Sequence, residues 1–212
     1  MYLKRNKTPK MWPIERKGTT YSIRPSHGLS RALPVLIAVR DVLGLAGNRK
    51  EVKKLINAKK IKVNGKLVRK DSFPLMLFDI ICLGDKNFKL VFKNRKLGLA
   101  EIKGSEAEEK IVKVIGKKMQ KKGKIQVNLD DGRNCLIKEK IKVGDSVIIS
   151  LKENNIKEML PFRVGCRIMF VSGKHVGENG KVEEIDEKKK LVIVRINEEK
   201  LNAKLANMMV IK

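Results

Sequence analysis

Apolar residues recur at two different spacings along the chain, a helical one before about residue 60 and an alternating one after it. Residues 33–43 are apolar except for Arg40 and Asp41. Pro34 stands near the start of this stretch, where its missing N–H group costs a helix nothing, and Gly44 follows its end. The pattern therefore predicts a first helix that stops at Gly44.

A second helix is predicted to begin beside Asn48. Asn48 and Glu51 have the spacing of a capping box, in which the asparagine side chain accepts a hydrogen bond from the third helical N–H group and the glutamate reaches back. The helix then has an apolar stripe at positions i, i+3 and i+4, formed by Val52, Leu55 and Ile56. The remaining circumference of this helix is basic.

Beyond residue 60 the pattern is that of short strands. Residues 61–68 are two alternating runs joined by Asn64-Gly65, which is the strongest short hairpin signal because a type I′ turn needs positive φ at both central positions. Strands at 80–83 and 88–92 close a small α+β unit near residue 96. The strands that follow predict two small all-β domains. They lie at 111–114, 125–129, 135–137 and 147–151, then at 167–171, 181–185, 191–196 and 207–211, with a turn at 187–190.

The chain is strongly basic. It has 49 Lys and Arg residues against 23 Asp and Glu, which gives a formal charge of +26. Residues 1–96 hold 24 basic and 6 acidic side chains, so 18 of the excess charges lie before residue 97. Such a density repels itself unless a polyanion neutralises it, and it therefore predicts a nucleic acid as the partner.

Several other classes of protein are excluded or disfavoured. The longest apolar runs are far shorter than the ~20 residues that a membrane span needs, and no secretory signal is visible, so a cytoplasmic protein without a membrane partner is expected. Cys82, Cys135 and Cys166 match neither a disulfide framework nor a zinc-ligand spacing, and His27 and His175 are too isolated for a metal or acid–base site. We therefore predict no catalytic residue, metal, cofactor or small-molecule substrate.

Residues 1–30 lack any useful helix or strand periodicity and are predicted to form an extended basic arm. This arm contains the only tryptophan, Trp12. Trp12 is expected either to stack on an RNA base or to anchor the arm to the protein by burial, and anchoring is favoured.

The two predicted helices and the following Asn64-Gly65 hairpin resemble the S4 RNA-binding domain, a module that presents a basic surface to structured RNA. The resemblance implies that lysines and arginines on these elements bind backbone phosphates. The residues concerned are Arg40, Arg49, Lys50, Lys53, Lys54, Lys59, Lys60, Arg69 and Lys70. Phe78-Asp79 replaces the Gly-Asp pair that the domain often has before its last strand, which resembles one branch of the domain.

That branch is indicated by further motifs that resemble the S4e family of archaeal and eukaryotic small-subunit ribosomal proteins. They are Leu3-Lys4-Arg5, Pro9-Lys10-Met11-Trp12, Arg24-Pro25-Ser26, Glu51-Val52-Lys53-Lys54 and Phe78-Asp79-Ile80-Ile81. The resemblance implies a non-catalytic constituent of the small ribosomal subunit that clamps ribosomal RNA electrostatically beside other small-subunit proteins. The resemblance also implies that basic residues of the N-terminal arm bind RNA. These residues are Lys4, Arg5, Lys7, Lys10, Arg16, Lys17 and Arg24. Eukaryotic members of the family usually carry a C-terminal extension after the last strand. This sequence ends at Lys212, soon after the last predicted strand, so the resemblance implies an archaeal source.

Four glycines in the last segment resemble a KOW motif, which occurs in ribosomal and transcription-elongation proteins. They are Gly165, Gly173, Gly177 and Gly180. A tight β loop that needs glycine explains the same spacing, and both interpretations stay open. Lys174 and His175, at the predicted loop tip, are implied to meet RNA.

The expected architecture is therefore a multidomain α+β chain of four segments. They are a basic N-terminal arm at 1–33, an S4-like α/β RNA-binding domain at 34–96, a central barrel-like β domain at 97–160 and a KOW-type, SH3-like β-barrel at 161–212. Two alternatives remain. One is an RNA-modifying enzyme with an S4-like domain, although residues 97–212 lack the Gly-Arg-Leu-Asp signature of pseudouridine synthases. The other is a KOW-type transcription-elongation or RNA-chaperone factor, which would not need the arm.

Overall fold

The computed structural model describes residues 2–29, 31–120, 124–137, 140–153, 155–186, 191–196 and 199–212, with the side chains of residues 105 and 106 excepted. The chain forms two compact units, Met1–Glu108 and Glu109–Lys212. The first unit has one apolar core, and the second has two. The turn predicted at 187–190 lies outside the described residues.

Both predicted helices are present in the first unit. Helix α1 (Val35–Ile37) continues as a π-helical turn (Ala38–Val42), and helix α2 spans Arg49–Asn57. The placement of Pro34 differs from the prediction. Pro34 precedes the helix in an extended conformation, with φ −62° and ψ 141°, because it belongs to a short strand, β3 (Leu33–Pro34), that pairs with β6 (Pro74–Leu75).

The Asn48 cap of α2 is confirmed, but the Glu51 carboxylate bonds to different groups than a capping box predicts. The Asn48 side chain accepts a hydrogen bond from the backbone N–H of Glu51 at 3.0 Å, as a capping box requires. The Glu51 carboxylate accepts from the N–H of Gly47 at 2.7 Å and from the Asn48 side-chain amide at 2.7 Å. It therefore fixes the chain one residue further upstream than expected.

A five-stranded antiparallel sheet follows α2 in the order β5-β4-β7-β8-β9. Its strands are β4 (Ile61–Val63), β5 (Lys66–Leu67), β7 (Ile80–Leu83), β8 (Lys86–Lys93) and β9 (Lys96–Ile102). The Asn64-Gly65 hairpin is confirmed, since both residues have positive φ, 48° and 78°. Strand β9 was not predicted. It pairs with β8 along its whole length, so the boundary predicted after residue 96 falls inside a paired hairpin.

The N-terminal segment is not the extended arm that the sequence suggested. Strand β1 (Tyr2–Lys4) pairs with β2 (Tyr21–Ile23), and Leu3 and Ile23 belong to the core of the first unit. Trp12 is only 1% exposed, and its indole N–H donates to the carbonyl of Ala32 at 2.9 Å. Anchoring by Trp12 is therefore confirmed, and the segment packs on the core because its few large apolar residues converge there.

The second unit is all β, as predicted. Its first sheet has the antiparallel order β12-β11-β10-β13-β14. The strands are β10 (Glu109–Met119), β11 (Ile125–Leu129), β12 (Asn134–Ile137), β13 (Ser146–Ser150) and β14 (Ile156–Leu160). Strand β10 pairs with β13 through its first half and with β11 through its second, and a bulge between Val114 and Gly116 separates the two halves.

The last sheet has the antiparallel order β18-β17-β16-β15-β19. Its strands are β15 (Arg167–Phe170), β16 (Asn179–Asp186), β17 (Leu191–Ile196), β18 (Glu199–Lys204) and β19 (Met208–Val210). The ammonium group of Lys113 on β10, itself buried, donates to the carbonyls of Leu205, Ala206 and Met208 at 2.9, 3.1 and 2.6 Å. This buried lysine joins the two sheets of the second unit.

Candidate RNA-binding surface

Helix α2 separates its apolar and basic residues. Val52 and Ile56 are 0% and 6% exposed and face the core. Lys50, Lys53 and Lys54 are exposed and stand at i, i+3 and i+4, a spacing that puts their Cβ atoms about 5–6 Å apart on one face. We call these three residues the α2 lysine face. Within the described ranges none of the three makes an ion pair or a side-chain hydrogen bond.

This arrangement opposes the stability of the helix itself. Like charges at i and i+4, such as Lys50 and Lys54, cost a helix about 0.2–0.5 kcal/mol. A cation in the first turn also opposes the helix dipole, whose N-terminal end is positive, and Lys50 follows directly after the first helical residue, Arg49. Lys54 lies in the last turn and is itself favourable to the dipole, so the cost comes from Lys50 and from the repulsion between the lysines, which an anion outside the chain would relieve.

Four more predicted residues follow α2 on exposed positions. Lys59 and Lys60 lie where α2 ends, and their backbone N–H groups donate to the carbonyls of Ile56 and Leu55 at 2.9 and 3.1 Å. Lys59 has φ 57°, so the chain reverses here and leaves both side chains exposed. Arg69 and Lys70, in the loop after β5, are also exposed.

Two predicted arginines are already paired within the chain. The Arg49 guanidinium donates to the carboxylate of Asp71, which is 8% exposed, and to the Tyr2 hydroxyl at 3.1 Å. The hydrogen bond with Asp71 raises the pKa of Arg49. Arg40 bonds the neighbouring Asp41 through two nitrogens at 2.9 and 2.8 Å, and this pairing raises its pKa. That either arginine binds phosphate stays a prediction.

The basic side chains of the N-terminal segment divide into two groups. Arg5 organises the segment, because its guanidinium donates to the Thr19 carbonyl at 2.7 Å, to the Thr19 hydroxyl at 3.2 Å and to the Glu15 carbonyl. All three of its nitrogens are thus engaged. The remaining predicted residues are exposed: Lys4, Lys7, Lys10, Arg16, Lys17 and Arg24.

A buried polar network fixes the Asn64 hairpin. The Asp79 carboxylate, on a residue 4% exposed, accepts from the Asn64 side-chain amide and from the Met76 N–H, both at 2.7 Å. The Asn64 carbonyl oxygen in turn accepts from the Ile80 N–H at 3.0 Å. Phe78, which stands where the S4 domain often has glycine, has φ 62°, so the left-handed conformation is present even though the glycine is not.

The glycine-rich loop between β15 and β16 places Lys174 in solvent and His175 against the protein. The His175 ring nitrogen Nδ1 lies 2.8 Å from a carboxylate oxygen of Glu178. Gly165, Gly173 and Gly177 have φ between 83° and 97°. A Cβ on Gly180 would lie 2.5 Å from the Val194 side chain and 2.9 Å from the Arg195 carbonyl. All four glycines are therefore required by the backbone, whatever the loop binds.

Two exposed features, one on each unit, were not predicted from the sequence. Residues 117–124 hold five lysines in eight positions, a signal that was available, and those described among them, Lys117, Lys118 and Lys124, are exposed beside the equally exposed Met119. The second feature is an exposed pair of tyrosines, Tyr2 and Tyr21. No sequence signal reveals that pair, because only the packing of the N-terminal segment brings the two residues together.

The helix pair, the locked hairpin and the exposed lysine face define an RNA-binding protein of the S4-domain class, and residues 41–81 match the S4 domain. Residues 84–156 match ribosomal family S4e. The chain is 36% identical over 191 residues to small ribosomal subunit protein eS4 of Methanosphaera stadtmanae, covering 87% of this chain and 79% of that one. The chain belongs to the S4e family of ribosomal proteins.

Other proteins of the same family are similar to this chain over most of their length. Small ribosomal subunit protein eS4 of Methanocaldococcus jannaschii is 36% identical over 200 residues, covering 87% of this chain and 81% of that one. The crystal structure of 30S ribosomal protein S4e from Thermoplasma acidophilum superposes with a TM-score of 0.76 at 26% identity, covering 85% of this chain and 95% of that one. Among the described residues, no helix is long and apolar enough to cross a membrane.

Proposed function

We propose that this chain, which its family makes a structural constituent of the small ribosomal subunit, binds ribosomal RNA chiefly through the basic surface of its first unit. The α2 lysine face carries this proposal. Three clustered lysines repel one another and make no ion pair or side-chain hydrogen bond within the described chain, and they gain favourable energy when phosphates approach. The backbone of ribosomal RNA carries one phosphate per nucleotide, and each phosphate that a lysine neutralises releases condensed counterions, which favours binding.

The binding is electrostatic and depends on a rigid support. The Asn48 cap fixes the start of α2, and the Asp79 network fixes the hairpin beside its end. Arg69 and Lys70 on the following loop, together with the exposed lysines of residues 2–29, extend the surface. A rigid array loses little conformational entropy when it binds, so more of the electrostatic free energy is available for affinity.

The last sheet is proposed to be a KOW-type, SH3-like barrel that makes a smaller contribution. Its glycine-rich loop presents Lys174 to solvent, whereas the Glu178 carboxylate beside His175 lowers the positive potential of the loop. The protein is proposed to act without catalysis and beside other small-subunit proteins. Family membership favours this function over an RNA-modifying enzyme or a transcription-elongation factor.

Two measurements test the proposal. Sedimentation of the endogenous protein through a density gradient should place it with small ribosomal subunits, and its absence from them would reject the ribosomal role. Titration of the full chain with a small-subunit ribosomal RNA transcript over a range of salt should give a log–log slope of at least several contacts, at about 0.7–0.9 per contact. A slope below that of one contact would reject electrostatic binding.

A further inference from the structure

Both tyrosines of the chain lie side by side on the surface of the first unit. Tyr2 on β1 is 64% exposed and Tyr21 on β2 is 57% exposed. Their ring centroids are 6.5 Å apart and the ring planes are inclined by 60°. The chain has nine aromatic residues in all, every one of them described, and the other seven are buried or half-buried.

The fold holds this pair in place from several directions. The strands that carry the tyrosines are paired, with Tyr2 opposite Ile23 and Lys4 opposite Tyr21. Ile23 is buried in the core, so it anchors the strand that carries Tyr21. The Arg5 guanidinium, with its three bonds to Glu15 and Thr19, fixes the loop that leads into β2. The tyrosines are therefore exposed on a supported ribbon.

At least one ring face stays open. In an edge-to-face pair, one ring offers its edge and only the other ring has a face covered. The Arg49 guanidinium lies 5.7 Å from the centroid of the Tyr2 ring and occupies one face of that ring. Whichever tyrosine offers its edge, these two contacts leave one or both faces of Tyr21 uncovered.

The pair lies within the basic surface. Lys4 is the direct neighbour of Tyr21 across the strands, and Arg49 contacts Tyr2 through both its ring and its hydroxyl. Arg49 also pairs with Asp71, and the residues next to these two along the chain, Lys50 and Lys70, are exposed. A nucleotide placed on the tyrosines would have cations within reach of its phosphates.

We propose that Tyr2 and Tyr21 form a stacking site for an unpaired nucleotide of the ribosomal RNA, an inference that rests on the proposed function. Lysines alone bind any phosphate backbone, paired or unpaired, and do not distinguish between them. An exposed aromatic face adds that distinction, because bases in a duplex are already stacked and only a bulged or looped base can stack on the ring. The first unit then prefers RNA with an unpaired base at the position of Tyr21.

Packing alone does not account for this exposure. Trp12, in the same N-terminal segment, is buried and satisfies its N–H on the Ala32 carbonyl, which shows how the segment treats an aromatic ring that serves as an anchor. Tyr21 instead has more than half of its surface in water. An exposed ring retains unfavourable hydration that stacking on a base would relieve, and such stacking is sequence-tolerant because every base has a π face.

The test compares two RNA duplexes of equal length, one fully paired and one with a single bulged 2-aminopurine, whose fluorescence falls when it stacks. The full chain should bind the bulged duplex about fivefold or more tightly, the lower end of what one base–aromatic stack supplies, and should quench its fluorescence. Tyr21→Leu should abolish both the preference and the quenching. Tyr21→Phe, the matched control, keeps the ring and should retain both.

The results of this test distinguish failure of the stacking site from failure of the proposed electrostatic RNA binding. Equal binding of both duplexes by the unmodified chain, or an unchanged preference in Tyr21→Leu, overturns the stacking site while the electrostatic function stands. Binding of neither duplex overturns both. If Tyr21→Leu lowers the melting temperature, Tyr2→Leu is the deciding second variant, and its retention of the full preference would also overturn the proposal. If Tyr21→Leu enters small subunits poorly but keeps the preference, the ring contacts a protein, which again contradicts the stacking site.

Discussion

Neutralising Lys53 and Lys54 tests the α2 lysine face most directly. Lys53→Gln with Lys54→Gln removes two charges, while glutamine has nearly the helix propensity of lysine. Both side chains are exposed and lie away from Val52 and Ile56. The variant should therefore fold as the unmodified chain does, and its melting temperature should be unchanged or slightly higher because repulsion on the helix falls.

The expected loss of affinity follows from counterion release. If each lysine neutralises one phosphate, the slope of log K against log salt falls by about 0.8 per lysine, or about 1.6 for the pair. At 0.1 M salt this corresponds to a loss of about 40-fold in affinity for a small-subunit ribosomal RNA transcript, or about 2 kcal/mol. Filter binding or fluorescence anisotropy at four or more salt concentrations measures both quantities.

A matched variant isolates contact from net charge. Lys181→Gln with Lys204→Gln removes the same two charges from exposed positions on β16 and β18. Salt-dependent affinity comes from the charges that neutralise phosphates, and the last sheet is proposed to contribute less, so this pair should change the affinity by less than about threefold. Equal losses in the two variants, or an unchanged salt slope for the α2 variant, would refute the assignment.

Three further changes have defined outcomes. Trp12→Ala should lower the free energy of unfolding by about 3–5 kcal/mol, as for other buried tryptophans, and should speed tryptic cleavage within residues 1–30; unaltered denaturation and cleavage would contradict its anchoring role. Gly180→Ala should destabilise the chain by about 1–3 kcal/mol, because the new Cβ would lie 2.5 Å from the Val194 side chain. Gly104→Ala is the control and should not lower the stability in this way, because nothing lies within 4 Å of its Cβ. Burial raises the pKa of the Cys82, Cys135 and Cys166 thiols, and since the thiolate is the reactive form, iodoacetamide should alkylate all three more slowly at neutral pH than a free cysteine peptide, with rates that rise as the pH increases.

Local signals predicted the parts of the fold that local chemistry decides. The cap at Asn48 and the turn at Asn64-Gly65 depend on residues three positions apart or adjacent, so the sequence contains the whole interaction. Strands 125–129 and 191–196 were predicted with the bounds that the structure shows. They alternate clearly because one side of each packs on a core.

Strands whose pattern carries no alternation were missed. In β9, Leu97, Gly98 and Leu99 are buried one after another, so the period of two disappears. In β18 most side chains are polar and exposed, and only partly buried residues such as Leu201 and Ala203 contact the protein. Strand β14 likewise has only partly buried apolar residues, among them Ile156 and Met159. Pairing with a neighbour, and not the pattern of the strand itself, determines these three elements.

The residues of the candidate site also differ in whether a local pattern or a distant partner determines their role. Lysines on α2 could be assigned from the sequence because the apolar stripe of the helix fixes which residues face outward. Arg5 and Arg49 could not, because their partners, Thr19 and Asp71, are 14 and 22 residues away along the chain. A guanidinium counted as available for RNA can therefore be occupied by the fold, and only tertiary structure distinguishes the two cases.

Tertiary structure also decides which aromatic residues are available to RNA, since Trp12 is buried whereas Tyr2 and Tyr21 are exposed. From the sequence, Trp12 was the ring considered for stacking on a base, since it lies among basic residues. Trp12 is buried with its N–H on the Ala32 carbonyl, which removes it from that role. With Leu3 and Ile23, it holds the segment that carries Tyr2 and Tyr21 on the core. Trp12→Ala should consequently weaken the preference for a bulged duplex as well as the stability. Tyr21→Leu should abolish the preference and leave the stability unchanged, and this difference between the two variants distinguishes the residue that supports the site from one that forms it.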